Sequence, residues 1–224
     1  MQTNFDTNIT IGLRRNMLED IEKLFIEKNY TNFQNILEAM DLVPRHFFLG
    51  KGFEQLSYKN QNIDIEAEQT ISKPTTVAIQ TFLLNLQKNE TVLEIGTGSG
   101  YQAAVLSHLA GKVYTIERHE ILFQRATKKL KELGLKNIYT FLEDGFKGVP
   151  RHAPYDKILI TCAAPEIPQN LVNQLKVGGQ FVLPMEDGEG QQDMLRLTKN
   201  EEGSLSEEKF GKFEFVPMLE GISK

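Results

Sequence analysis

The residues with the clearest chemical potential lie in Val92-Leu93-Glu94-Ile95-Gly96-Thr97-Gly98-Ser99-Gly100. The apolar start reads as a buried strand, the glycines as a tight turn, and Tyr101 onward as a helix. Such a turn lets a ligand approach the backbone closely, and the helix start beyond it presents unpaired N–H groups. About twenty positions further on stands Glu117, at the carboxyl end of the next apolar run, where a carboxylate can accept hydrogen bonds from a ribose diol. The plainer alternative is a structural glycine turn with Glu117 merely exposed.

The spacing separates two kinds of nucleotide ligand. A dinucleotide fingerprint requires G-x-G-x-x-G, whereas here the third glycine comes early, at Gly100, and position 101 is Tyr. Glu94, just ahead of the turn, suits a cation better than a pyrophosphate. S-adenosyl-L-methionine carries an ammonium and a sulfonium, so acidic residues around it make electrostatic sense. Glu94, Gly96, Gly98, Ser99, Glu117 and the adjoining Arg118 are therefore the expected cofactor residues. Asp144-Gly145 follows the third apolar run, and an Asp carboxylate can accept from an adenine amino group. On its own that pair reads equally as a simple turn. Thr161-Cys162-Ala163-Ala164-Pro165 ends a fourth run, with small residues where the crevice of such a sheet opens.

These residues need a scaffold of alternating strands and helices. Strands are expected at 91–95, 112–116, 137–142 and 157–161, with helices at 73–87, 101–109, 119–133 and from Pro168. That alternation implies a doubly wound, Rossmann-like α/β sheet, mostly parallel. Runs at 180–184, 194–198 and 209–216 have no helix between them, and Asn200-Glu201-Glu202-Gly203 is a turn signal, so an antiparallel C-terminal hairpin is expected. Ahead of this core, helical spacing over 12–28 and 31–40, the latter capped by Thr31, predicts a helical N-terminal extension. The stretch 50–68 is irregular and polar. One domain over 1–224 is expected: helices and an active-site loop over 1–70, and an α/β core over 71–224.

Bulk properties exclude several classes. The chain has 224 residues, 40% hydrophobic and 25% charged, with a net charge of −5 and no Trp. No basic run stands clear of acidic neighbours, so no nucleic-acid partner is expected. No apolar run approaches a membrane span, and Met1 to Thr10 lacks the features of a signal peptide. With the single Cys162 this points to a cytoplasmic protein without a membrane partner, and a monomer is expected. Cys162 reads as a small buried apolar residue. His46, His108, His119 and His152 show no metal-ligand spacing, so no metal is expected. His46 reads as a packing or hydrogen-bonding residue.

Several segments together resemble the protein-L-isoaspartate O-methyltransferases. They are Val43-Pro44-Arg45-His46-Phe47, Gln69-Thr70-Ile71-Ser72, Glu94 to Leu106, Asp144-Gly145, Ala153-Pro154-Tyr155-Asp156, Ala163-Ala164-Pro165-Glu166-Ile167-Pro168 and Val216-Pro217. The resemblance implies an S-adenosylmethionine-dependent protein carboxyl O-methyltransferase. It would methylate the free carboxylate of isoaspartyl (or D-aspartyl) residues in damaged proteins or peptides, its partners. The ester would then close to a succinimide unaided. The resemblance assigns Ser72 to the active site, with Gln69, Thr70 and Ile71 lining the cofactor. A carboxylate is already a nucleophile at neutral pH, so no general base is required. Ser72 also precedes Lys73-Pro74, where it reads equally as a helix cap.

The segment before Gln69 departs from the family's Tyr-x-Asp-x-Pro-x-Pro-Ile-Gly-x-Gly pattern. Asn60 stands for the Asp, Asn62 and Asp64 for the prolines, and Glu66 and Glu68 for the glycines. Two carboxylates there would repel an anionic acceptor. Two other readings therefore stand beside the first: a methyltransferase of the same fold with another acceptor, and a cofactor-binding module that does not catalyse.

Overall fold

The computed structural model describes residues 5–223, so Met1 to Asn4 of the N-terminal stretch discussed above lie outside the described residues. Helix α1 (Asn8–Glu27) opens on a capping box, in which the Thr7 and Thr10 side chains each accept the other's backbone N–H. That local chemistry starts the helix a turn ahead of its apolar spacing. Helix α2 (Gln34–Leu42) begins later than Thr31, because Asn32 takes a left-handed φ of +60° that a helix cannot include. Buried Arg14 of α1 binds Asp6 and, on α2, Asp41, each at 3.0 Å.

The stretch read as irregular holds the first strand of a small antiparallel hairpin, β1 (Ile63–Asp64), whose partner β2 (Thr70–Ile71) follows just beyond it. Helix α3 (Pro74–Leu84) follows and stops at Asn85, whose φ is +47°. The core then runs β3 (Thr91–Ile95), α4 (Tyr101–Ser107), β4 (Lys112–Glu117), α5 (Glu120–Glu132), β5 (Ile138–Leu142), β6 (Tyr155–Ile160), α6 (Gln169–Gln174), β7 (Leu175–Glu186), β8 (Gln192–Lys199) and β9 (Leu205–Phe213). One sheet takes the order β5-β4-β3-β6-β7-β8-β9. Neighbours from β5 to β7 are parallel, while β8 and β9 are antiparallel. The expected terminal hairpin is present as β8–β9, and it is part of a larger meander. β7 extends to 12 residues and pairs with β8 along its far half.

Strand alternation sorts the core into two layers. Val92, Val113, Leu159 and Val182 join the cluster built from α1 to α4, while Leu93, Ile95, Ile116 and Ile160 face the side that carries α6. Both faces are covered, which is why these strands read as mostly apolar stretches without a clear alternation. The chain winds outward from β3 through β4 to β5, then returns to β6 on the other side of β3. Strand order reverses between β3 and β6, and the crevice at their carboxyl ends is where ligands bind in such sheets. Among the described residues, no helix is long and apolar enough to cross a membrane.

Candidate active site

The glycine turn leaves β3 at this switch point. Gly96 and Thr97 both donate their N–H to the Ile116 carbonyl, at 2.9 and 3.0 Å. Gly96 has φ +95°, and a Cβ there would stand 2.4 Å from Thr161 Oγ1, so both conformation and space demand glycine. Thr161, at the end of β6, lies within 2.9 Å of the Ile95 carbonyl and 2.7 Å of the Gly96 carbonyl through its hydroxyl. The turn is thus clamped between β4 and β6 before any ligand arrives.

Glu117 ends β4 and organises the opposite wall. Its Oε2 accepts the Gly98 N–H at 2.8 Å, and its Oε1 accepts those of Arg118 and His119 at 2.8 and 2.9 Å. A carboxylate offers about four acceptor directions, so one remains for a ligand. Glu94 lies deeper, with 0% exposure. The Thr97 and Thr115 hydroxyls are 2.6 Å apart, and Thr115 donates to Glu94 Oε2 at 2.5 Å. Glu94 Oε1 has no partner. Burial pushes the Glu94 carboxyl up to about 8, the Thr115 hydrogen bond opposes that rise, and the charge of Glu117 adds to it.

Two connected hollows meet at Thr70, Gly96, Gly98 and Thr161. The larger holds about 620 Å³ of unfilled space including its mouth, between Gln69, Glu117, Arg118, Gly145 and Met218. The smaller is a recess bounded by Ile71, Ser72, Gln80, Ser99, Tyr101 and Gln102. Its titratable lining group is the Tyr101 phenol, which burial pushes up to about 12 and the neighbouring Arg45 holds lower. The Oε1 of Gln102 is buried without a partner. Over both hollows lies the β1–β2 hairpin, with Ile65 Cδ1 3.9 Å from where a Gly98 Cβ would be.

Of the sequence-predicted residues, Gln69, Thr70, Ile71, Ser72, Gly96, Gly98, Ser99, Glu117, Arg118 and Gly145 come together around the hollows. Glu94 and Asp144 are not among the lining residues. Asp144 accepts the Phe146 N–H at 3.0 Å and shapes the turn that presents Gly145. The Arg118 guanidinium reaches the Gly221 and Glu220 carbonyls, both at 3.1 Å, and so pins the C-terminal wall. Ser72 does not cap α3; Asn60 Oδ1 accepts the Thr75 N–H and Asn62 Oδ1 that of Lys73. The departures at 60 and 62 therefore have a structural use. Glu66 is ion-paired with Arg125 of α5 and Glu68 is exposed at the hairpin tip, so one of the two carboxylates expected to repel an anionic acceptor has a cationic partner of its own. His46 meets the Tyr58 hydroxyl at 2.7 Å. Cys162 lines the larger hollow, its thiol pushed up to about 12 by burial first and by the Glu117 charge second. Sequence reasoning gave no role to Gln80, Tyr101 or Met218; the signal for Gln80 was an amide on an otherwise apolar helix face.

A doubly wound sheet with a glycine turn at its switch point and an acidic residue ending the neighbouring strand defines a Rossmann-like, S-adenosylmethionine-dependent methyltransferase. The family model for protein-L-isoaspartate(D-aspartate) O-methyltransferase matches residues 16–223. The chain belongs to that family. It is 44% identical over 215 residues to a protein-L-isoaspartate O-methyltransferase of Flavobacterium psychrophilum, covering 96% of this chain and 98% of that one. It is 43% identical over 206 residues to one of Methanosarcina mazei, covering 90% and 84%. A solved protein-L-isoaspartate O-methyltransferase superposes with a TM-score of 0.81 at 27% identity, covering 91% of this chain and 65% of that one. A Plasmodium falciparum beta-aspartate methyltransferase solved with S-adenosyl-L-homocysteine shares the fold, with a TM-score of 0.79, 20% identity and coverage of 92% and 98%.

Proposed function

We propose that this protein transfers the methyl group of S-adenosyl-L-methionine to the free carboxylate of isoaspartyl or D-aspartyl residues in proteins and peptides. The family membership supports the activity, and the site is chemically suited to it. The remaining acceptor direction on Glu117 fits a ribose hydroxyl, and the buried, unpartnered Gln102 Oε1 fits a donor such as an amine. Gly96, Gly98 and Ser99 would hold the methionine end. Gly145 would border the adenine, and Gln69, Thr70 and Ile71 would cover the ligand from the hairpin. When bound, S-adenosylmethionine supplies an electrophilic methyl on a sulfonium: a carboxylate oxygen forms the new C–O bond as the C–S bond breaks, its electron pair remaining on sulfur. No proton moves.

The observation that carries this reading is the lining of the recess. Ser72, Thr70, Gln80 and Gln102 offer hydroxyl and amide groups, and the one phenol there is raised to about 12. Such a lining orients an acceptor and excludes water, and it provides no base at neutral pH. An acceptor ionised beforehand, a carboxylate, needs none. Ser72 is the hydroxyl placed to orient it. The test is the pH dependence of kcat with an isoaspartyl peptide, counting methyl transferred plus methanol released. Between about pH 6 and about pH 7.5 it should change less than about two-fold, because the acceptor is fully ionised throughout. A rise of about ten-fold per pH unit would instead mark an acceptor that must lose a proton, and would refute the reading.

A further inference from the structure

Among the described residues two arginines, Arg14 and Arg45, are buried, and their surroundings differ. Arg14 is bonded to two carboxylates. Arg45 is 0% exposed, and among the described residues no carboxylate pairs with it. Its Nε donates to the Ser57 carbonyl and its Nη2 to the Ser72 carbonyl, both at 2.7 Å. Its guanidinium carbon lies 4.7 Å from the centre of the Tyr101 ring. Its Nη1 and the Tyr101 hydroxyl are both buried, and among the described residues neither makes a hydrogen bond of good geometry, although the two side chains are close enough for the guanidinium to stabilise the phenol oxygen. Burial lowers the guanidinium to about 10, with the Tyr101 and Tyr58 phenols opposing, so it is charged at neutral pH.

Burying a cation costs several kcal/mol, which two carbonyl oxygens and an aromatic face offset only in part, since no carboxylate neutralises the charge. Arg45 sits against the backbone of Ser72 and the ring of Tyr101, and both residues line the recess. The recess wall itself carries no charged side chain, while the Glu117 carboxylate lies toward the glycine turn, accepting the Gly98 N–H. Positive potential therefore backs the acceptor side and negative potential the cofactor side. That polarity suits an anionic acceptor facing a cationic methyl donor.

We propose that Arg45 is the specificity-determining positioning residue of the acceptor site, its enclosed charge selecting a carboxylate over a neutral group of the same shape. This rests on the isoaspartyl reading above. Arg45 works through the Ser72 backbone and the Tyr101 ring, without touching the reacting atoms. Methyl transfer neutralises the carboxylate, so the guanidinium favours the bound substrate at least as much as the transition state. Its loss should raise KM and leave kcat within about three-fold.

The test measures, by calorimetry on the S-adenosyl-L-homocysteine complex, the affinities of an isoaspartyl peptide and of its α-carboxamide counterpart. The wild-type protein should prefer the carboxylate by about ten- to a hundred-fold, the size of one charge pair at ~6–8 Å in a partly shielded interior. Arg45→Gln should reduce the ratio to about two or less, and Arg45→Lys should keep most of it. A wild-type ratio retained in a folded Arg45→Gln protein overturns the proposal. A salt series on the wild type needs no variant: a buried cation predicts a ratio steady within about two-fold from about 0.05 to about 0.5 M NaCl. Collapse of the ratio toward one overturns the proposal even if Arg45→Gln does not fold. If the wild type binds and methylates no isoaspartyl peptide, the failure belongs to the functional reading instead.

Discussion

Replacing Glu117 by Gln removes one charge and turns one carboxylate oxygen into an N–H donor. In the structure that carboxylate already accepts three backbone N–H groups, two on Oε1 and one on Oε2. The amide oxygen does best facing the Arg118 and His119 pair, which puts the amide NH₂ against Gly98 N–H and the ligand. The Gly98 hydrogen bond is lost, and the acceptor reserved for a ribose hydroxyl becomes a donor. A hydrogen bond to a charged group contributes about 1.5–3 kcal/mol, so the dissociation constant for S-adenosyl-L-homocysteine should rise about 10- to 150-fold. Calorimetry on protein shown by its thermal melt to be folded reads this directly. A constant within about two-fold of wild type would remove Glu117 from the cofactor site and refute the reasoning built on it.

Three further changes probe the surroundings. Glu94 carries a folded-state pKa raised to about 8 against about 4.3 unfolded, so between those values the folded protein binds the extra proton. Its burial therefore lowers stability as pH rises through that window. Glu94→Gln should flatten the fall in Tm between about pH 5 and about pH 8, and parallel Tm curves for the two proteins would contradict this. Ser72→Ala should lower methyl transfer at unchanged Tm, because Ser72 caps nothing. Asn60→Ala should cost about 0.5–2 kcal/mol of stability by uncapping α3, and a Tm loss confined to Ser72→Ala would reverse the two roles.

The central strands were legible because β3, β4 and β6 are buried on both faces and show as short, mostly apolar stretches between turn residues. The glycine turn and the acidic strand end beside it were legible for a related reason: Gly96 and Gly98 are fixed by their positive φ, and Glu117 by its place at the end of β4. What escaped depends on tertiary contacts. The β1–β2 hairpin turns at Ala67 and Glu68, with φ of +57° and +56°, positions where Gly or Asn would have announced it. Pairing of Ile65 with Gln69 and the ion pair from Glu66 to Arg125 accompany that turn. The capping role assigned to Ser72 fell instead to Asn60 and Asn62, which approach α3 from a loop. Glu94 was expected beside the ligand because the motif places it next to the turn; in the structure its side chain is fully buried and accepts the Thr115 hydroxyl, a contact that only the pairing of β3 with β4 reveals. Arg45 carries no sequence signal of its charge being unpaired, since partners more than ten residues away decide that.

The most direct measurement is methyl transfer from labelled S-adenosyl-L-methionine to one peptide made in two forms, with an isoaspartyl or an ordinary aspartyl linkage at the same position. The expected result is base-labile methyl ester on the isoaspartyl form, with the aspartyl form near background. Equal labelling of both forms would contradict the isoaspartyl acceptor proposed for this protein. Label on neither, in protein that binds S-adenosyl-L-homocysteine, would mean that the fold and cofactor site are intact and the acceptor is another.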